Sequence, residues 1–494
     1  MSEEKSSYRQ IMKATSIFGG VQVFNIIIQL LRSKAIAILL GPAGMGFMGL
    51  LQTTVSLVGA ATNFGLSTSA VRDISEANGT GDQNKVNETV SLVRRLVWLS
   101  GLLGLIVMVA LSPLLSKLTF GNYNYTIAFI ILAISLLISQ LSAEPTAVLQ
   151  GHRKIAWLAK ANVYGSATGL VATVPMYYFF GTAGIVPSIV LASICSYAPL
   201  HWFSRKIQIE QISIPIKDAI NQGKPMLKLG FFLSLSGLIT VAGSYIIRIY
   251  ITRTGSLADV GLYNAGFAII GTYVGLIFTA MGTDYYPRLS AVAKSNKESK
   301  IIINQQAEIA LLILAPIIIV FLVFIRWVVI LLYSKQFSGV NEMILFAALG
   351  MFFKATSWAI AFLFLAKGAS RLFFWNELAT NIYLLGLNII GYHFWGLTGL
   401  GISFLAAYLL YAVQVYLIAR VKYNFELSQD FVVIFVLQII LAITCLALVK
   451  MAPNFYSYTI GSVIILLSSL YSLKELDKRL DLKSLMYSIK GKFK

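Results

Sequence analysis

Polar residues interrupt one long apolar stretch near the start of the chain, residues 14–40. They are Gln22, Asn25, Gln29 and Arg32. Their spacing of three, four and three residues places them within an arc of about 80° on one side of a helix. An arginine at mid-membrane depth costs about 2.5–3.5 kcal/mol on insertion scales. We therefore expect this side to face protein or water instead of lipid.

Arg248 occupies a similar position in a later apolar stretch, residues 229–253. A guanidinium group suits phosphate because its planar fork forms two parallel, charge-assisted hydrogen bonds. Arg32 and Arg248 are therefore predicted to line a cationic cavity that takes an anionic substrate. The alternative is that both side chains reach outward to the nearer membrane surface, as long cationic side chains do near helix ends.

Other charged residues extend this predicted site. Lys354 lies inside an apolar stretch, and Arg72 and Arg288 lie at the inner ends of two others, where each could equally anchor the topology. Glu144 could carry a proton in a coupled transport cycle, or it could pair with a cation. The other acids within apolar stretches are Asp284, Glu308 and Glu377.

Motifs for nucleotide or metal chemistry are missing from the sequence. There is no Gly-rich phosphate loop with a lysine, and the three histidines form neither an HExxH motif nor a pair with cysteine. The two cysteines lie in apolar stretches. We expect a protein that is not an enzyme and has no cofactor and no metal. The net charge of +19 is dispersed, so no nucleic-acid partner is expected either.

Transmembrane helices are the elements that must position these residues. The 494 residues are 57% hydrophobic and 12% charged, whereas soluble domains are about 25% charged. Apolar stretches long enough to span a bilayer recur along the chain, without the alternation of barrel strands. The sequence predicts an all-α polytopic integral membrane protein with about 14 transmembrane helices.

The distribution of lysine and arginine predicts the orientation. With the N-terminus inside, about 30 of the 39 Lys and Arg residues fall in cytoplasmic segments and about four on the opposite side. Both termini are then cytoplasmic. The basic tail, residues 474–494, could lie on anionic membrane lipids of the inner leaflet or remain solvated.

The chain also repeats itself at a shift of about 215 residues. The aligned features are Arg32 with Arg248, Gly46 with Gly261, the segment 149–153 with 365–371, and the segment 180–184 with 395–399. We predict two six-helix lobes related by pseudo-twofold symmetry, plus two C-terminal helices, with the site between the lobes. The predicted division is an N-terminal lobe at 1–206, a cytoplasmic linker at 207–228, a C-terminal lobe at 229–422, spans 13 and 14 at 423–473, and the tail.

One stretch also resembles a known family. Ile38-Leu-Leu-Gly-Pro-Ala-Gly-Met-Gly, continuing through Gln52 to Asn63-Phe-Gly-Leu and Val71-Arg-Asp-Ile-Ser, resembles the first two spans of O-antigen translocases. These are the Wzx-type lipid-linked oligosaccharide flippases, in the polysaccharide transporter family of the multidrug/oligosaccharidyl-lipid/polysaccharide (MOP) exporter superfamily. The resemblance covers nearly the whole chain, in pattern more than in letters.

This resemblance implies a V-shaped pair of lobes around a central cavity. It also implies that an undecaprenyl-pyrophosphate-linked glycan moves from the cytoplasmic to the periplasmic leaflet of the bacterial inner membrane by alternating access. Cationic cavity residues would hold the pyrophosphate, a role that falls here to Arg32 and Arg248. A polymerase and a chain-length regulator of the same polysaccharide or lipopolysaccharide pathway would be partners.

Two other functions remain open. A cation-coupled multidrug or small-molecule antiporter of the same superfamily would favour an acid-rich cavity, but cations exceed acids at membrane depth in this sequence. A membrane-embedded transferase or polymerase would need a large periplasmic loop with catalytic carboxylates, and the sequence has no room for one. The flippase is therefore the favoured interpretation.

Overall fold

The computed structural model describes residues 24–480, apart from a few side chains, among them that of Asp284. Gln22 and most of the basic tail therefore lie outside the described residues. Residues 24–39 form helix α1. The other helices are α2 Gly41–Thr62, α3 Leu66–Gly79, α4 Gln83–Phe120, α5 Thr126–Leu141, α6 Ala143–Gly151, α7 Ile155–Phe180, α8 Ile185–Ser204, α9 Ile216–Thr254, α10 Leu257–Ala268, α11 Leu276–Ala291, α12 Asn296–Leu332, α13 Asn341–Ala366, α14 Ser370–Tyr423, α15 Gln429–Met451 and α16 Asn454–Leu480.

The prediction of an all-α membrane protein is confirmed. Residues 24–480 contain no strand, and nine of their helical segments are long and apolar enough to cross a membrane. Two of these segments, Ile155–Ser204 and Ser370–Tyr423, have 50 and 54 residues, whereas one span needs about 20. The apolar stretches 14–40 and 229–253 overlap α1 and α9, and a π-helical turn connects α10 and α11. The count of 14 spans stays a prediction.

A glycine turn divides each of the two longest segments. Gly181, between α7 and α8, has φ 55° and ψ −131°. Gly396, inside α14, has φ 56° and ψ −138°. This part of backbone space is almost closed to residues with a Cβ atom, so glycine is required at both positions. The two glycines lie in the aligned segments of the sequence repeat, and they make the same turn.

A second turn also recurs at the same shift. The N–H of Lys154 donates to the Leu149 carbonyl at 2.8 Å, and the N–H of Ala369 donates to the Phe364 carbonyl at 2.9 Å. Before these donors stand Arg153 and Gly368, which both have positive φ, at 55° and 68°. The repeat in the sequence therefore corresponds to a repeat of local backbone structure.

The apolar stretch at residues 45–71, just before Arg72, is interrupted by a turn. Its first helix ends at Thr62, and the backbone N–H of Gly65 then donates to Asn63 Oδ1 at 2.8 Å in a turn where Gly65 has φ 63°. Because α3 begins only after this turn, Arg72 lies on a separate helix and does not close the end of a continuous span. An asparagine and a glycine two residues apart, Asn63 and Gly65, were the signal for this break.

The chain divides into two compact units, Met1–Gly261 and Leu262–Lys494. In the first unit, α9 packs against α2, α3 and α4. In the second, α13 is the central helix and packs against α11, α12, α14 and α15. The predicted division into lobes at 1–206 and 229–422 stays a prediction.

Two glycines that the sequence repeat aligns lie against each other in the first unit. A Cβ atom on Gly46 would collide with the backbone around Leu257, and a Cβ atom on Gly261 would collide with the carbonyl of Pro42. The backbones of α2 and α10 therefore touch at this point. Only glycine on both helices permits such an approach.

Candidate functional site

The polar side of α1 is separate from its exposed apolar side. Large apolar side chains form an exposed stripe on this helix, namely Phe24, Ile27, Leu31 and Ile38, which are 43–61% exposed. At 100° per residue, Asn25, Gln29 and Arg32 lie about 110–170° away from the centre of that stripe. Asn25 and Arg32 are half-buried, and Gln29 is exposed.

Two atoms on this polar side are buried without a hydrogen-bond partner in the described part of the chain. They are the Nε of Arg32 and the Oδ1 of Asn25. Leaving a buried polar group unpaired costs about 1–3 kcal/mol, and more for a charged group. The donor on Arg32 and the acceptor on Asn25 lie on the same side of the helix, about two turns apart. A polar ligand or water can therefore satisfy both.

Arg248 has a different environment. Its Nη1 donates to the Ser244 carbonyl at 2.8 Å and to the Ser244 hydroxyl, one turn earlier in α9. The helix is held nearby by a hydrogen bond of 2.6 Å between the hydroxyls of Tyr245 and Thr119. Arg248 and Arg32 both belong to the first compact unit. One nitrogen of the Arg248 guanidinium, Nη1, therefore already donates within its own helix.

Lys354, on α13, lies among aromatic rings. Its Nζ is 5.2 Å from the ring centroid of Tyr408, 5.8 Å from that of Phe404 and 6.0 Å from that of Phe278. These distances are within the range of cation–π attraction. Among residues 24–480, no carboxylate forms an ion pair with Lys354. The charge is stabilised by ring faces and remains available to an anion.

The two arginines at predicted span ends differ in their contacts. Arg72 is exposed and forms an ion pair of 2.8 Å with the neighbouring Asp73. Arg288 donates to Gln306 Oε1 at 3.1 Å and borders a cavity of about 990 Å³ in the second unit. Gln306 is buried, and its Nε2 has no partner in the described residues.

The acids at membrane depth also differ. Glu144 Oε1 accepts from Arg94 Nη2 at 2.9 Å and from Arg94 Nε at 3.1 Å, beside a cavity of about 720 Å³ that Tyr197 and His201 also line. Glu308 accepts from Arg479 at 2.8 Å. The sequence offered no means of choosing these partners, because Arg94 and Arg479 are 50 and 171 residues away.

Glu377, in contrast, has neutral neighbours. Its carboxylate accepts a hydrogen bond of 2.5 Å from the Tyr411 hydroxyl, which accepts in turn from Asn376 at 3.3 Å. In the described part of the chain, no cation forms an ion pair with Glu377. The side chain of Asp284 lies outside the described residues. The described part of the chain contains no cluster of His, Cys, Asp and Glu that could hold a metal ion.

Comparison with known proteins identifies the family of the chain and its fold. The profile of a family described as polysaccharide biosynthesis protein matches residues 35–342. The lipid III flippase of Escherichia coli K12 is 21% identical over 389 residues, which cover 77% of this chain and 91% of that protein. A candidate O-antigen transporter of Shigella flexneri is 25% identical over 376 residues, covering 74% of this chain and 87% of the relative.

Solved structures share the fold. The lipid II flippase MurJ, in an inward closed conformation, superimposes with a TM-score of 0.71 at 16% identity, over 94% of this chain and 99% of that one. An inward-facing multidrug transporter of the MATE family in the MOP superfamily gives a TM-score of 0.65 at 15% identity, over 82% of this chain and 94% of that one. At such identities the likeness establishes the fold alone.

Proposed function

This chain belongs to the polysaccharide biosynthesis protein family, and we propose that it is a flippase for undecaprenyl-pyrophosphate-linked oligosaccharide, an O-antigen or related surface glycan repeat unit. The glycan lipid moves from the cytoplasmic to the periplasmic leaflet by alternating access, and no bond is made or broken. The proposal is supported by the relatives, which are named as a lipid III flippase and a candidate O-antigen transporter. In it, the multi-pass chain lies in the bacterial inner membrane with both termini cytoplasmic.

The observation that carries the proposal is the unpaired polar side of α1. Arg32 and Asn25 keep buried atoms without partners in the described residues, on the side of the helix that is turned away from its exposed apolar stripe. A buried arginine donor is costly unless an acceptor reaches it. A pyrophosphate supplies several anionic oxygen acceptors for the Arg32 donor, so Arg32 holds this group. The Asn25 Oδ1 is itself an acceptor and suits a sugar hydroxyl or water, and Asn25, Gln29 and Gln22 extend the polar surface.

The remaining cations contact the pyrophosphate headgroup at different places in this proposal. Arg248 adds a second guanidinium that is already positioned by Ser244. Lys354 supplies an ammonium group without a carboxylate partner in the described residues. Arg288 and Arg72 meet the headgroup at the cytoplasmic entrance. A polymerase and a chain-length regulator would take over the glycan after transport.

Two acids are candidates for coupling transport to protons. Glu144 is held by Arg94, so its protonation would break that ion pair and release Arg94. Glu377 accepts from Tyr411 and has no cation partner in residues 24–480, so its protonation changes the local charge without breaking an ion pair. A cation-coupled multidrug antiporter is the second candidate function, and the fold shared with the MATE transporter supports it.

The test uses the purified protein in vesicles that contain a fluorescent undecaprenyl-pyrophosphate oligosaccharide. We expect the wild type to move the label across the bilayer faster than protein-free vesicles do. Arg32→Ala should lose at least about tenfold of this rate, because one charge-assisted phosphate contact contributes about 1.5–3 kcal/mol. Arg32→Lys should retain part of it.

The control is Arg95→Ala, which removes an exposed arginine on α4. It should transport like the wild type. No acceleration by the wild type would contradict the flippase assignment. Full activity of Arg32→Ala would contradict the role of Arg32 alone.

A further inference from the structure

A line of three residues is open on an otherwise enclosed helix. Between residues 347 and 364, α13 is buried except at Phe353, Lys354, Trp358 and Phe362. Phe353 packs on Phe435 of α15, with 5.4 Å between the ring centroids. The other three follow at intervals of four residues, so they form one line in steps of about 6 Å along the helix. We call Lys354, Trp358 and Phe362 the aromatic line.

Lipid chains are a poor environment for this line. A lysine ammonium at membrane depth costs about 2.5–3.5 kcal/mol on insertion scales, and Lys354 is near the middle of a 26-residue helix. The segment that contains this helix, Lys335–Ala366, is also the most enclosed of the nine apolar segments in the described chain, with 72% of its 18-residue apolar stretch buried. Its single open line therefore faces water or a polar ligand.

The rings of the line are held in place by neighbours. Trp358 lies 5.3 Å from Phe278 and 5.4 Å from Tyr285 of α11, and 5.2 Å from Phe362, between ring centroids. Tyr285 is fully buried, and its hydroxyl donates to the Ala359 carbonyl at 2.6 Å. The half-buried faces of Trp358 and Phe362 are therefore preorganised, which reduces the entropy cost of binding.

We propose that the aromatic line receives the sugar rings of the lipid-linked glycan, while Lys354 lies beside its phosphate. This rests on the proposed function and names where the glycan, as distinct from the pyrophosphate, is bound. A sugar ring presents C–H groups on one face, and such a face packs on a flat aromatic ring while the hydroxyl groups at its edge stay in water. The two rings continue one and two helical turns from the ammonium, in the order phosphate, first sugar, second sugar.

An isoprenoid chain is the other ligand that would pack on aromatic rings. It would gain nothing from Lys354, whose charge would have to be desolvated against hydrocarbon. A phosphate next to a glycan, in contrast, matches both the ammonium and the rings. The pyrophosphate carries the isoprenoid chain on its other side, so the choice rests on hydration: a glycan on the rings leaves water around the ammonium, whereas a hydrocarbon chain would exclude it.

The experiment compares two lipids in vesicles with the purified protein, undecaprenyl pyrophosphate with its oligosaccharide and undecaprenyl pyrophosphate without sugar. Trp358→Leu should raise the KM for the glycan lipid about fivefold, the expected loss for one aromatic stacking contact. It should leave competition by the sugar-free lipid unchanged. Trp358→Phe should restore most of the affinity, and Lys354→Ala should weaken both lipids.

Trp327→Leu is the matched control, because this tryptophan is 60% exposed on α12. It should behave like the wild type. An unchanged KM for the glycan lipid in Trp358→Leu overturns the glycan site, and so does an equal loss for the sugar-free lipid. A wild type that moves neither lipid overturns the proposed function instead.

Discussion

The polar side of α1 in the first unit and the aromatic line of α13 in the second present two kinds of surface. The first combines a guanidinium with amide groups, and two of its buried atoms have no partner in the described residues. The second combines an ammonium with ring faces that are fixed by their neighbours. Amides and a guanidinium suit phosphate oxygens, whereas rings suit sugar C–H faces.

The repeat in the chain makes this difference informative. The turns at Gly181 and Gly396 have nearly the same torsion angles, and Arg153 and Gly368 both have positive φ, at 55° and 68°. The polar contacts do not repeat in the same way, because Arg32 Nε has no partner among the described residues while its aligned counterpart Arg248 bonds to Ser244. The repeat therefore preserves the scaffold, and the polar residues have diverged on it.

The largest expected effect comes from removing both surfaces at once. If Arg32 contacts the pyrophosphate and Trp358 contacts the glycan, losses of about tenfold and fivefold in kcat/KM should multiply to about fiftyfold in Arg32→Ala/Trp358→Leu, because the free-energy losses of residues that share no contact partner add. Transport of the glycan lipid by the two single variants and the double variant measures this. A double variant no worse than Arg32→Ala would show that the two surfaces do not bind different parts of one substrate.

Replacing the turn glycine of either unit, Gly181 or Gly396, should lower the thermal stability of the protein by a similar amount. Gly181→Ala and Gly396→Ala each force a Cβ atom into a positive-φ conformation, at a cost of about 1–3 kcal/mol. Thermal unfolding of the purified variants in detergent should show a similar drop in Tm for both. Gly386→Ala, in α14, is the control because a Cβ atom there meets open space. A drop in only one of the two turn variants would break the structural equivalence.

Replacing the two acids Glu144 and Glu377 should cost different amounts of stability, because their hydrogen-bond partners differ. Glu144→Gln leaves the Arg94 charge without its carboxylate and should cost about 2 kcal/mol, in the range for hydrogen bonds to charged groups. Glu377→Gln retains an acceptor for Tyr411 and should cost less than about 1 kcal/mol. Thermal unfolding of the two variants ranks them. The reverse ranking would show that Glu377 has a stabilising charge partner.

The smallest effect concerns an exposed ion pair in the second unit. The hydrogen bond from Lys300 at 2.6 Å, together with its charge, holds the pKa of Glu426 below its usual range. Since the folded pKa is the lower one, the pair stabilises the fold above the unfolded pKa of about 4.3 and loses this contribution as the pH falls through the folded pKa. The Tm difference between the wild type and Glu426→Gln should be small at pH 7 and shrink further as the pH falls through the lowered pKa of Glu426. A difference that grows on acidification would contradict this sign.

Much of the architecture was readable from the chain. Apolar length predicted the helices. Segments that the repeat aligns also share a backbone turn, as the bond from Lys154 and its counterpart from Ala369, 215 residues apart, show. The polar spacing on α1 predicted one polar side, and Asn25, Gln29 and Arg32 do lie away from the exposed stripe. The break after Thr62 was missed, because hydropathy does not distinguish a span from a span with a turn in it.

The aromatic line was also missed, although its spacing is visible in the sequence. A lysine, a tryptophan and a phenylalanine at intervals of four residues share one face of any helix. In an apolar helix, however, aromatic residues on one face usually form packing contacts. Only the burial of the other residues between 347 and 364, apart from Phe353, distinguishes Lys354, Trp358 and Phe362 from an ordinary core.

Composition and periodicity by themselves determined that this is a helical membrane protein with polar residues gathered on chosen faces, because lipid excludes unpaired charge and every span must satisfy its own backbone. Tertiary structure alone decided which charges are neutralised and which remain available. Glu144 meets Arg94 and Glu308 meets Arg479, whereas Lys354 meets only rings among the described residues. Such pairings depend on packing between segments far apart in the chain, which no local pattern specifies.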